Sequence, residues 1–476
     1  MTDAIVLAVV FPILAAVASL LAGLRWDRSG WYVAALAAVV ELGLAVSILL
    51  SVLQGGRTAY ELGGFVPPAG IELVADGLSA PVLVLVATVS LAVLAYARRA
   101  GPRGNAFYTV YLLLVAGLAG VILTGDIFNM YVFLEITGLA AYALVASGDD
   151  VRSAVAALKY LLLGTIGASL FLLGAGYAYV ATGTLNMVDL AARFAEVGYT
   201  SRPVLASFGL IVTGLLVKVA LFPVHSWQPD AYATAPDSVS AYISALVSTV
   251  SAYVVAGSVL AVTQSELKRM LAYSSVSQFG MIVAAFALLS PTAAVGGVVH
   301  LLGHAVIKGG LFAAAGVVAR QTGARTVEEY AGLASRRPVS AGLVAVLALA
   351  LVGVPPAVGF VGKWYIVLGA IESGAPVVAA VILASTLLTL AYVARVIERM
   401  YFADVPAVEA GGERAAVAAD GGESTAADTG VGEESPVSPA MIAVVVLAAF
   451  AAVALGFAGT AIQSLLEPTL QGVFGT

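Results

Sequence analysis

Residues 210–227 read LIVTGLLVKVALFPVHSW. An apolar run of membrane-spanning character carries Lys218 at its centre and Pro223 five residues later. A cation at mid-membrane costs about 3 kcal/mol or more. Pro223 has no N–H, so the carbonyl of Val219 loses its usual donor and the helix breaks. Irregular backbone at membrane depth is tolerated where it lines a protein-buried or watered cavity. The stretch therefore reads as a broken membrane helix beside a polar path.

The surrounding chain has the same character. It holds 476 residues, of which 61% are hydrophobic and 11% charged, with a mean hydropathy of +1.02. Soluble domains carry about 25% charged residues. Apolar runs near the roughly 20 residues needed to cross about 30 Å of hydrocarbon recur throughout. The first run lacks a basic flank and a small-residue cleavage site, so it reads as a retained helix. Absence of cysteine excludes disulfides, thiolate nucleophiles and cysteine-ligated iron–sulfur clusters. Three histidines leave little for haem or zinc. No metal, cofactor or nucleic-acid partner is expected. The net charge of −6 comes from residues 403–438, with eight acids and one arginine. That Gly/Ala/Ser-rich stretch reads as a disordered acidic loop, a spacer or salt adaptation.

The fold class expected is an all-α polytopic membrane protein of about 13 segments. Candidate helices run 4–24, 30–53, 77–97, 105–124, 127–147, 154–181, 203–224, 238–264, 270–289, 292–319, 339–372, 377–398 and 440–463. The 339–372 run reads as one crossing broken at Pro355 and Pro356. Alternation of Tyr60 and Leu62, then Ile71 and Leu73, around PPAG predicts a β-hairpin within 57–75. Lysine and arginine favour cytoplasmic loops. With the N-terminus outside, the first three inner loops hold six such residues against three outside. Eight more follow residue 264. One crossing by 238–264 puts all eight outside, giving six inside against eleven; no net crossing gives fourteen against three. The second count is the better one, yet 27 residues are too few for two full crossings. This segment is a re-entrant pair, or a helix is missing.

The chain has five lysines. Lys268 lies in a loop, while Lys159, Lys218, Lys308 and Lys363 fall in membrane runs. Loops use arginine instead. A desolvated lysine can release its proton near neutral pH, which arginine cannot. Buried lysine is therefore what a proton relay would use, and Glu135 and Glu41 are acids at similar depth. Lys159 is close enough to its helix end to snorkel, so a structural and a relay role both stand. Glu41 reads as helix packing or hairpin support. His300, His304 and Lys308 recur at i, i+4, i+8 on one helix face, and histidine changes charge near neutral pH. Packing histidines are the plainer alternative.

Several stretches together resemble a known family. They are GDIFNMYVFLEITGLAAYAL (125–144), KYLLLGTIGASLFLLG (159–174), LLVKVALFPVHSWQPDAYATAPDSVSA (215–241), LKRMLAYSSVSQFG (267–280), HAVIKGGLFAAAG (304–316) and PPAVGFVGKW (355–364). The family is the proton-translocating, antiporter-like membrane subunits of respiratory complex I, membrane hydrogenases and multisubunit Mrp-type Na+/H+ antiporters. The wording resembles the D-type subunit of the Mrp-type antiporters in particular. The resemblance implies 14 helices, with two inverted five-helix repeats and two broken helices. It implies that Glu135 pairs with Lys218 and that Lys363 faces the exit side. The chain departs from the pattern at LVSTVSAY (246–253), where Thr249 stands at a position usually lysine or histidine. Against that pattern, about one helix of sequence is also absent between 238 and 268. A hydroxyl can pass a proton along water but cannot hold a positive charge at neutral pH.

The domain layout expected is 1–104, N-terminal helices with the hairpin; 105–264, a truncated first repeat; 265–402, a second repeat; 403–438, the acidic loop; and 439–476, a C-terminal helix. The function implied is a proton-conducting subunit of a multisubunit Na+/H+ antiporter in the cell membrane. Its partners would be other hydrophobic subunits, protons, Na+ and the bilayer, with the acidic loop cytoplasmic. It is a transporter subunit rather than a catalyst. A proton-pumping subunit of a complex I-like quinone oxidoreductase or membrane hydrogenase is the alternative; a non-conducting structural subunit is another. Thr249→Lys separates conducting from degenerate chains: a gain of transport in vesicles favours the degenerate reading.

Overall fold

The computed structural model describes residues 3–27, 29–102, 104–218, 220, 224–247, 264–404 and 437–474. Thr249, Pro223 and residues 405–436 of the acidic stretch lie outside the described residues. Among those described, ten helices are long and apolar enough to cross a membrane. This is a multi-pass membrane protein.

Helices α1 (Asp3–Gly23), α2 (Gly30–Gly55), α3 (Ser79–Ala100) and α4 (Asn105–Leu123) pack together at the N-terminal end. Asn105 accepts the Gly30 N–H at 2.8 Å and so ties α4 to the α1–α2 turn. Strands β1 (Thr58–Glu61) and β2 (Glu72–Ala75) form the antiparallel hairpin, with Tyr60 opposite Leu73. Bridges from Leu73 to Thr124 and from Asp126 to Asn186 gather the hairpin and two helix turns on one face of the molecule.

Helices α5 (Ile127–Ala146) and α6 (Val151–Thr182) start at aspartate caps, Asp126 and Asp150, whose carboxylates take N–H groups the helix leaves free. Next come α7 (Met187–Val197), α8 (Arg202–Lys218), α9 (Trp227–Thr234) and α10 (Asp237–Tyr242). A π-turn, Ile243–Val247, continues α10. Helices α11 (Leu267–Ala287), α12 (Pro291–Thr322), α13 (Pro338–Val352), α14 (Val358–Glu372), α15 (Pro376–Phe402), α16 (Pro439–Ala454) and α17 (Gly459–Phe474) complete the order.

Several differences from the sequence reading have local causes. The 203–224 run stops at Lys218, because Ala220 turns left-handed at a φ of 55° before Pro223 is reached. The 440–463 run divides into α16 and α17 around a tight turn at Leu455–Ala458. Helices α7 and α9 are additions to the expected set; each is shorter than a crossing and is hidden between stronger apolar runs. The 339–372 run, by contrast, agrees with the reading: it is two 15-residue half-helices, α13 and α14, on either side of Pro355 and Pro356.

The segment after α9 begins and ends at the same face. Lys268 donates to Asp237 Oδ1 at 3.0 Å and to the Ala235 carbonyl at 3.1 Å, and Glu266 bridges Thr326. The α10 start, the α11 start and the α12 end therefore sit together at the face opposite the hairpin. A cavity of about 690 Å³ opens there, lined by Asp150, Lys159, Asp230, Asp237, Lys268 and Arg325 among others.

Two 32-residue helices, α6 and α12, each pack along a lysine-bearing half-helix, α8 and α14. Glycine permits the approach. A Cβ on Gly362 would lie 2.7 Å from the His300 Cα, and one on Gly369 2.5 Å from the Ala293 nitrogen. Gly362→Val should force α12 and α14 apart at a cost of about 1–3 kcal/mol. Thermal unfolding in detergent should shift down accordingly; an unchanged melting profile would contradict the packing described.

Candidate functional site: a buried lysine and histidine path

Helix α5 brings Glu135 to the cut end of α8, where Lys218 donates to Glu135 Oε1 at 2.9 Å. The pair is mostly sheltered, with side-chain exposures of 13% for Lys218 and 22% for Glu135. Gly138, one turn on from Glu135, leaves room for the Tyr142 hydroxyl: a Cβ there would lie 2.8 Å from it. Trp227 closes the break by donating Nε1–H to the Val217 carbonyl at 3.4 Å. Its ring stacks on Tyr160, centroids 3.9 Å apart, and Tyr160 meets Tyr142 edge-on. These rings wall the pair on the α6 side.

The second group lies on α11, α12 and α14. Lys308 is fully buried. It donates to the Leu271 carbonyl at 2.6 Å and to Ser274 Oγ. His304, one turn back, packs edge-on against Phe279, and neither of its ring nitrogens meets a hydrogen-bond partner among the described residues. His300 follows, its ring 6.4 Å from that of His304, with Nε2 and Gln278 Oε1 3.0 Å apart. Lys363 ends the series. Its amine donates to the carbonyls of Leu351 at 3.1 Å and Val352 at 2.9 Å. These are the last carbonyls of α13, left free by the break at Pro355 and Pro356. A helix C-terminus carries partial negative charge and suits an ammonium group.

Lys159 stands apart from both groups. It is half-exposed and pairs with Asp230 at 2.8 Å, while Asp230 also takes Arg269 at 2.8 Å. It belongs to the charged mouth of the cavity. There Asp150 accepts the backbone N–H and the guanidinium of Arg152, which hold its carboxyl below the ordinary carboxylate range. Among the described residues no group of three or more His, Asp and Glu could hold a metal.

Sequence reasoning passed over the partners. Ser274 and Gln278 lie in a buried polar run on α11, with Ser275 and Ser277 beside them. The signal was available in AYSSVSQ, five hydrogen-bonding side chains in a membrane run.

The family described as NADH:quinone oxidoreductase/Mrp antiporter, TM, matches residues 124–256 and 254–389. The chain belongs to this family. The two matched stretches overlap at residues 254–256, within the 238–264 run. NADH-quinone oxidoreductase subunit N of Desulforudis audaxviator (strain MP104C) is 42% identical, over 86% of this chain and 88% of that one. The D-type subunit of a Na(+)/H(+) antiporter from Bacillus subtilis (strain 168) is 31% identical, over 75% and 79%. A chain in the Mrp complex from Dietzia sp. DQ12-45-1b superposes with a TM-score of 0.86 at 25% identity, covering 100% of this chain and 98% of that one. This chain is thus similar to ion-translocating subunits of multisubunit membrane complexes.

Removing one partner of a sheltered ion pair leaves the other charge uncompensated, whereas removing both is close to neutral. Glu135→Gln and Lys218→Met should each lower the melting temperature more than the double variant does. Additive losses in that cycle would show that the pair is not coupled.

Proposed function

We propose that this chain is the proton-conducting subunit of a heteromeric monovalent cation/proton antiporter, with Na+ the exchanged ion. The observation that carries the reading is the Lys218–Glu135 pair at a cut helix end, followed by the buried series Lys308, His304, His300 and Lys363. Such groups are expensive in hydrocarbon and are retained where charge moves. The close superposition with a subunit of an Mrp complex supports the antiport reading.

The Glu135 carboxylate sits 2.9 Å from the Lys218 amine and balances its charge. When that carboxylate's interaction is drawn away, the lysine releases its proton toward Lys308. Ser274 and the Leu271 carbonyl receive the charged amine there. His304 and His300 carry the proton on through their ring nitrogens, with Gln278 orienting His300. At Lys363 the α13 carbonyls hold the ammonium until release. The cavity face is cytoplasmic in this reading, since Arg152, Lys268, Arg269, Arg320 and Arg325 gather around it. The remaining partners are hydrophobic subunits alongside it in the cell membrane.

A second reading is favoured by the relative at 42% identity, which is a subunit of a quinone oxidoreductase. The same path would then be driven by redox chemistry in partner subunits. The test uses the intact complex in proteoliposomes with an internal pH dye. Addition of Na+ should drive a pH change that Lys218→Ala abolishes while complex assembly persists. Undiminished exchange in Lys218→Ala overturns the relay. A Na+-insensitive proton uptake that follows quinone reduction assigns the second reading.

A further inference from the structure

Glu41 takes no part in the path above, yet it is the most anomalous side chain of the N-terminal helices. It lies on the inner stripe of α2, among Ala34, Ala37, Ala38, Ala45, Ile48 and Val52. It is 2% exposed, and neither carboxyl oxygen has a hydrogen-bond partner among the described residues. The helices packed on α2 are α1, α3 and α4. Their ionised side chains among the described residues are Asp3 in the first turn of α1 and Arg98 and Arg99 in the last turn of α3, with Arg98 engaged over the Trp31 ring. None of them pairs with Glu41. An unpaired carboxylate in such a site is costly, and a neutral acid needs an oxygen to receive its O–H. Alanine would pack this stripe as it does at the neighbouring positions.

The helices packed on α2 share a buried hydroxyl cluster with α10. Ser90 Oγ on α3 and Tyr242 OH on α10 are 2.7 Å apart. Tyr111 on α4 donates to the Ser90 carbonyl and stacks on Tyr242, centroids 4.8 Å apart. The helices that carry Ser90 and Tyr111, α3 and α4, both pack on α2, which carries Glu41. Tyr242 in turn stands where α10 passes into its π-turn, a distortion frequent at functional sites. That turn runs along α12: a Cβ on Gly309 would sit 3.4 Å from Ala245 Cβ, and Gly309 follows Lys308.

We propose that Glu41 is a proton-holding site of the transport path, joined through the Ser90, Tyr111 and Tyr242 hydroxyls to the α10–α12 contact beside Lys308. This rests on the relay reading of Lys308. The Glu41 carboxyl passes its proton to the first hydroxyl oxygen, each hydroxyl hands on its own, and the neutral Lys308 amine takes up the last. A carboxylate and an ammonium result, and a proton returning to Glu41 closes the cycle.

Three measurements on the intact complex in proteoliposomes test it. Dicyclohexylcarbodiimide, which attacks protonated carboxyls in apolar surroundings, should label Glu41, as read by mass spectrometry of the peptide. Glu41→Gln, close in volume, should slow exchange by about tenfold or more, and Glu41→Asp should restore part of it. Tyr242→Phe should slow exchange in the same way with assembly intact, so the proposal is testable even if position 41 tolerates no change. Wild-type exchange in both Glu41→Gln and Tyr242→Phe, with Lys218→Ala inactive, overturns the branch and leaves the relay standing. An unlabelled Glu41 overturns the proton-holding site. Full exchange in Lys218→Ala overturns the relay itself and the branch with it.

Discussion

An ammonium group inside hydrocarbon must be met by oxygen, and each buried lysine here finds it differently. Lys218 has a carboxylate, Glu135. Lys308 has a helix carbonyl and a serine. Lys363 has two carbonyls at the end of a half-helix. An unbroken helix spends its carbonyls on its own N–H groups, so the last arrangement exists only because α13 stops mid-membrane. The break at Pro355 and Pro356 is thus part of the site. Tertiary contact supplies what the helices themselves cannot: α5 must cross α8, and α11 must lie along α12.

These contacts demand short interhelical distances, and small residues make them. Gly362 brings α14 against His300, one residue before Lys363, so packing and placement of the path are one requirement. Gly167 and Gly214 do the same where α6 packs on α8: a Cβ on Gly214 would lie 2.5 Å from the Gly167 carbonyl oxygen. The path is also uneven in accessibility. The Glu135–Lys218 pair retains some exposure, whereas Lys308 and His304 are buried to within 2%. That middle stretch leaves little room for bulk water.

Much of the architecture was legible because membrane helices announce themselves by length and apolarity, and because broken ones carry proline. The β-hairpin was legible from alternation around PPAG. The helix end at Lys218 was not, since it depends on Ala220 adopting a left-handed backbone that alanine seldom takes. Lys159 shows the limit of reading depth from sequence. It lies within an apolar run, but α6 is long enough that its ninth residue still reaches the charged cavity mouth, where Asp230 meets it. Ser274 and Gln278 were passed over because uncharged polar residues are cheap enough in a helix to draw no notice.

Sequence by itself determined that the chain crosses the membrane many times, that lysines lie within it, and that the region before Lys268 cannot make a full pair of crossings. Those conclusions follow from transfer energy and chain length, which are properties of local stretches. Only the tertiary structure decided which acid meets which lysine, that His300, His304, Lys308 and Lys363 share one buried region, and that Glu41 is buried and pairs with no cation among the described residues. Ion pairing and burial depend on distances between residues far apart in the chain. Glu135 and Lys218 are 83 positions apart, and no periodicity within either helix encodes that meeting.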